Sequence, residues 1–134
     1  MEKYIIHKGQ ECHRTHLCSL CSADKPYYKQ IQQGSIAIKE NENYRNNFFV
    51  AYLNDTLVGF VYGFTFDKTL FPQFLFVHQD HRQRGIGTLL LKKLEEHSNC
   101  VTSMVYFHKS LETYYAKQDY ELGMDLRVGL KMLH

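Results

Sequence analysis

The sequence predicts an α/β fold: a mixed, partly parallel central sheet of about six to seven strands, flanked by helices on both faces. Three observations carry that expectation. Phe48–Leu53 and Thr56–Phe66 are rich in β-branched and aromatic residues and flank a short Asn54-Asp55 turn, which reads as an antiparallel hairpin. From Phe71 onward strand-like and helix-like segments alternate, the order that parallel crossovers require. A length of 134 residues with 44% hydrophobic content suits a single domain, 1–134, with a real core and no room for a second.

Taken in order, Lys3 to His7 reads as a short opening strand ended by Gly9. Helices are expected from Glu11 to Ser22 and from Pro26 to Gln33, with Pro26 in a first turn and Gly34 as the stop. Lys39 to Asn47, which holds four asparagines, reads as a loop before the hairpin. Phe60, Tyr62, Phe64 and Phe66 alternate along the second hairpin strand and so share one face, expected to lie in the core beneath helices. Gly59 and Gly63, on the opposite face, would permit a bulge or close backbone approach. A strand from Phe71 to Val77 should pair with this hairpin. The helix that follows buries Ile86, Leu89, Leu90 and Leu94, wets Lys92, Lys93, Glu95 and Glu96, and closes at Asn99. Val101–Phe107 reads as a strand, Leu111–Gln118 as a helix, and Glu121–Leu133 as two short strands.

Composition excludes several classes. A formal charge of +2 gives no footing for nucleic acid. The longest apolar stretch, Leu57–Phe66, is short and broken by two glycines, so no membrane span is expected. The opening Met-Glu-Lys-Tyr-Ile-Ile-His has no signal-peptide pattern, and a reducing cytoplasm is the expected location. Cys18-Ser-Leu-Cys21, with His13 and His16 just before it, has the spacing of half a metal or redox site. The second half is missing, since the only distant cysteine is Cys100. Leu17, Cys18, Leu20 and Cys21 fit the apolar face of a helix, and no metal is expected.

The chemistry concentrates in Val77-His-Gln-Asp-His-Arg-Gln-Arg-Gly-Ile-Gly-Thr88. A strand enters a basic loop, and Gly85 and Gly87 open a helix. Unpaired N–H groups and the positive end of a helix dipole then converge on one point, which suits phosphate or pyrophosphate. Arg82 and Arg84 add charge, and glycine lets the ligand approach the backbone. Gly87 is followed by Thr88 and Leu89 rather than Lys-Ser/Thr, against a P-loop. Leu90 takes the place of the third small residue of a dinucleotide fingerprint.

The run resembles the acetyl-CoA signature of the GNAT superfamily of N-acetyltransferases, Q/R-x-x-G-x-G/A, with Arg82, Gly85 and Gly87 in its three defined places. The family's order of elements matches nearly the whole chain, most clearly from Phe48 to Tyr120. The resemblance implies acetyl-CoA as cosubstrate, with cofactor contacts from Leu75, Phe76 and Val77 at the strand end. Further contacts are implied from Arg82, Gln83, Arg84, Gly85, Ile86, Gly87 and Thr88 along the loop and first helical turn.

A second run, His108-Lys-Ser-Leu-Glu-Thr-Tyr-Tyr115-Ala-Lys-Gln-Asp119-Tyr120, is similar to the family pattern N-x-x-A-x-x-x-Y-x-x-x-G-F. Tyr115 falls on the tyrosine that in the family lies near the cofactor sulfur and protonates the departing thiolate. His108 stands where an asparagine is frequent, as a hydrogen-bond donor or a proton-transfer group. Asp119 replaces a glycine, and Asp tolerates a left-handed turn better than most residues. The reaction implied is direct attack of a primary amine, of a small molecule or a peptide, on the thioester. No glutamate falls in Phe71–Val77 or Val101–Phe107 to serve as base, which leaves His78, His108 or water. Two other readings stay open: an acyl-CoA-binding sensor or interaction module without turnover, and a phosphate-binding module without acyl chemistry. The resemblance also leaves a homodimer open.

Overall fold

The structure, a computed structural model, describes residues 3–17, 20, 28–106, 112–118, 121–122 and 128–133. Its strands are β1 (Tyr4–Lys8), β2 (Phe48–Leu53), β3 (Thr56–Phe66), β4 (Thr69–Val77), β5 (Thr102–Tyr106), β6 (Glu121–Leu122) and β7 (Val128–Met132). Its helices among the described residues are α1 (Glu11–His16), α2 (Tyr28–Glu40), α3 (Glu42–Asn46), α4 (Ile86–Ser98) and α5 (Glu112–Lys117). The seven strands form one sheet in the order β1-β2-β3-β4-β5-β7-β6. Pairing is antiparallel from β1 through β4 and again from β5 through β7 to β6, while β4 and β5 run parallel. The mixed, partly parallel α/β sheet expected from the sequence is the observed one.

Side-chain alternation splits the core into two layers. On one face Phe48, Val50, Phe60, Tyr62 and Phe76 pack with Leu17, Leu20, Ile31 and Ile38 from the N-terminal helices. On the other face Phe49, Ala51, Val58, Val61 and Leu70 pack with Ile86, Leu90 and Leu94 of α4. Phe60 and Tyr62 of the aromatic stripe are in the core as expected, but Phe66 is 71% exposed at the strand end. Phe64 is half-buried and stacks on Phe71 with ring centroids 4.8 Å apart.

Several local expectations need correction. Gly34 does not stop a helix: α2 continues through it to Glu40. A Cβ at Gly34 would stand 2.9 Å from the Tyr62 ring, so the glycine is a notch that lets the helix lie against that ring. The segment read as a loop holds α3, because the Asn41 side chain accepts from the N–H groups of Asn43 and Tyr44 and caps it. Strand β4 begins at Thr69 rather than Phe71. On α4 the buried stripe is Ile86, Leu90, Leu91, Leu94 and Glu95, and Leu89 is exposed. The stripe is rotated because Leu91 packs with Val105 and Tyr114, a second contact beside the sheet. Glu95, expected to be wet, is buried and satisfied by Lys131 Nζ at 3.1 Å. Asn99 closes α4 in the left-handed conformation, as expected.

One irregularity shapes the functional end of the sheet. Tyr62 pairs with Phe74 but Gly63 with Pro72, so Gln73 is an extra residue on β4. Pro72 has no N–H to give a ladder. Beyond the pairs Thr69–Thr102 and Leu70–Ser103, β4 and β5 form no further ladder among the described residues. The two parallel strands therefore separate toward their C-terminal ends. Gly63 permits the bulge, because a Cβ there would lie 2.6 Å from the Phe71 carbonyl oxygen, a backbone atom that cannot step aside. Gly63→Ala is expected to destabilise the fold by about 1–3 kcal/mol, the usual cost of overpacking. Chemical denaturation checks this, and an unchanged midpoint would show that the bulge is pliable.

Candidate active site

The site is built where β4 hands over to α4. After Val77 the chain makes a 3₁₀ turn, Gln79–His81, capped by the His78 side chain, which accepts from Asp80 N–H at 3.0 Å. Arg82 reaches back and donates from Nε to the Val77 carbonyl at 2.8 Å, with its guanidinium 5.6 Å from the Phe76 ring centroid. Gln83 has a positive φ of 63°, a conformation that costs a non-glycine residue on the order of 1–2 kcal/mol. Strain of that kind persists where the surrounding structure imposes a particular loop shape. Gly85, at φ 80°, is the N-cap of α4, and no side chain caps the helix. The first turn carries no acidic residue. The N–H groups of a 13-residue helix are thus presented uncapped at a loop with two arginines, an arrangement suited to an anion.

A cleft of about 570 Å³ opens at this point. Of the ten residues expected to contact the cofactor, eight line it: Leu75, Val77, Arg82, Gln83, Gly85, Ile86, Gly87 and Thr88. Phe76 does not, because its side chain is buried on the opposite face with Phe60 and Phe74. Arg84 does not line it either and donates to the Tyr4 hydroxyl of β1 at 2.8 Å. Among the described residues, no carboxylate lines the cleft. The cleft mouth lies outside the C-terminal end of β4, where open α/β sheets ordinarily bind ligands. Leu75 and Val77 give it an apolar wall, and the α4 N-terminus gives it a polar end. The residues present therefore fit a ligand with a diphosphate at one end and a long, weakly polar arm, which is the chemistry of coenzyme A.

Two lining residues were not found from the sequence, His81 and Tyr114. Tyr114 was obscured by the adjacent Tyr115. Its side chain packs with Leu91 and Val105, and its hydroxyl is where a Cβ on Gly87 would come within 3.3 Å. Burial raises the Tyr114 phenol above the ordinary tyrosine range; a hydrogen bond with Thr88 opposes this and the Glu95 charge adds to it. Gln118 Nε2 also donates to Thr88 Oγ1 at 3.2 Å, so the α5 end of the molecule is pinned to the first turn of α4. Tyr115 lies on α5, and its side chain is outside the described residues, as are His108, Cys18 and Cys21. His78, considered as a base, instead spends Nδ1 on the turn it caps. Among the described residues no group of His, Cys, Asp and Glu could hold a metal ion.

Residues 44–122 match the family model of the acetyltransferase (GNAT) domain. The chain belongs to the GNAT acetyltransferase family. It is an acyltransferase, with acetyl-CoA as its cosubstrate. Solved GNAT structures share the fold over nearly the full length. A PaiA N-acetyltransferase from Thermoplasma acidophilum, solved with coenzyme A, is 15% identical with a TM-score of 0.77, covering 97% of this chain and 99% of that one. A GNAT-family acetyltransferase from Staphylococcus aureus is 18% identical with a TM-score of 0.78, covering 98% and 100%. The alanine N-acetyltransferase of a ribosomal protein from Escherichia coli is 13% identical with a TM-score of 0.73, covering 98% and 94%. No curated protein matches the sequence. No helix among the described residues is long and apolar enough to cross a membrane.

Proposed function

We propose that this GNAT domain, residues 1–134, is an N-acetyltransferase that passes the acetyl group of acetyl-CoA directly to a primary amine of a small molecule or peptide, with both substrates bound together. The observation that carries the reading is the coincidence of two features in one cleft. The uncapped start of α4 supplies the anion site, and the parting of β4 from β5 leaves the edge of β4 open beside it. An extended pantetheine arm can lie along such an edge and hydrogen-bond to its backbone, as an added strand would. Arg82, Gln83 and residues 85–88 hold the phosphates and Arg84 adds its charge from beside the cleft, while Leu75 and Val77 line the arm and Phe76 meets it through its backbone.

Anchoring both ends of the donor makes amine attack effectively intramolecular, which contributes about 7–11 kcal/mol in favourable cases. The neutral amine nitrogen, its ammonium proton already lost, forms the new C–N bond as the C–S bond breaks, and it releases a second proton to solvent on becoming the amide nitrogen. The departing sulfur then takes a proton. Tyr115 is the donor by its place in the family pattern, and His108, which stands where that pattern has an asparagine, orients the cofactor or relays a proton. Water or His108 removes the amine proton, since His78 is committed to its turn and Glu95 to Lys131.

The test is thiol release from acetyl-CoA against amines, amino acids, polyamines and peptide N-termini. Release that depends on one class of amine is expected. Tight acetyl-CoA binding with no amine-dependent release across that panel would replace this reading with a binding module of the same fold.

A further inference from the structure

Tyr4, on the strand at the sheet edge, reaches the loop that opens α4. Tyr4 of β1 accepts from Arg84 Nη1 at 2.8 Å and lies 3.1 Å from His81 Nδ1. The two rings meet edge to face with centroids 5.9 Å apart. These partners are 77 and 80 residues away in sequence, so only the fold brings them together. His81 itself lines the cleft, whereas Tyr4 does not.

We propose that Tyr4 is a positioning residue for the cofactor and that His81 is a phosphate-binding residue which Tyr4 orients. A guanidinium carries only donors, so the Tyr4 oxygen accepts from Arg84. In the proposed arrangement the phenol's single proton is directed at Nδ1 of His81. An imidazole that accepts at Nδ1 carries its N–H at Nε2, the nitrogen that Tyr4 leaves available. His81 therefore presents a donor, rather than a lone pair, to the cleft whose polar end is the uncapped start of α4. The same hydroxyl holds Arg84, which is not among the lining residues, within the field of that site. The tether fixes two of the loop's basic side chains from the far edge of the sheet, while Arg82 is fixed from within by the Val77 carbonyl. The loop that carries them includes the strained Gln83, so an external hold has a physical purpose.

This inference rests on the proposed cofactor reading, and direct binding of free CoA by calorimetry separates the two. If the wild-type chain fails to bind CoA, the cofactor reading falls and this inference with it. If it binds, Tyr4→Phe keeps the ring and removes only the hydroxyl. The expected result is a CoA dissociation constant and a KM for acetyl-CoA raised about five- to tenfold, roughly the loss of one hydrogen bond to a charged network, with kcat at saturation within about twofold. A thermal midpoint close to wild type shows that folding is intact. His81→Ala should weaken CoA binding similarly. In a His81→Ala, Arg84→Ala background, Tyr4→Phe should have no further effect, because a positioning residue has nothing left to position. An unchanged affinity in Tyr4→Phe, or an equal loss with and without His81 and Arg84, would overturn the proposal.

Discussion

Gly85→Glu is expected to abolish measurable CoA binding, a loss of at least about 100-fold, while leaving the chain folded. Two effects act at this position and can be separated. Gly85 sits at φ 80°, so any side chain brings left-handed strain of about 1–2 kcal/mol. A Cβ there meets nothing within 4 Å, so no steric clash is added. Gly85→Ala isolates the strain and should lower stability modestly while retaining much of the affinity. Glutamate adds a carboxylate at the positive end of the α4 dipole, in the place the phosphates need. Its charge opposes the ligand's charge, and its bulk fills the approach. Equal loss of binding in the alanine and glutamate variants would mean that loop shape, rather than the space and charge over the helix start, governs affinity.

How much of this was legible in sequence follows the range of the forces involved. The hairpin, the helix after the glycines and its closure at Asn99 were readable because periodicity and turn chemistry are local. The glycine loop that opens α4 at the cleft was readable for the same reason, since Arg82, Gly85 and Gly87 lie within six residues of one another. Gly34 was misread because a glycine can stop a helix or relieve a contact, and only the Tyr62 ring, 28 positions away, decides between them. Glu95 was misread because its partner Lys131 lies on the last strand. Tyr4 gave no signal at all, as its hydroxyl acts across 77 or more residues. The bulge was half legible: Gly63 marked it, but Gln73 as the extra residue emerged only from the register.

Tyr115→Phe is expected to lower kcat by about 100-fold or more, the range of general-acid catalysis, with CoA affinity changed less than about threefold. The neighbouring Tyr114→Phe should behave differently, and the contrast is the stronger test. The Tyr114 ring is packed with Leu91 and Val105, and its hydroxyl is buried against the start of α4, where a Cβ on Gly87 would come within 3.3 Å of it. Such a phenol is built into the cleft wall, and burial keeps it protonated beyond the pH at which a free tyrosine ionises, near 10. Removing it should loosen the first turn of α4 and so act on KM for acetyl-CoA before kcat. A kcat collapse in Tyr114→Phe, with Tyr115→Phe unaffected, would exchange the two roles. That outcome is chemically coherent, since Tyr114 lines the cleft and a donor must hold its proton until sulfur departs. Adjacent positions on a helix are offset by about 100°, so the two substitutions are expected to have different effects. The split between kcat and KM across the pair therefore assigns the proton donor and fixes the orientation of α5 against the cofactor in one experiment.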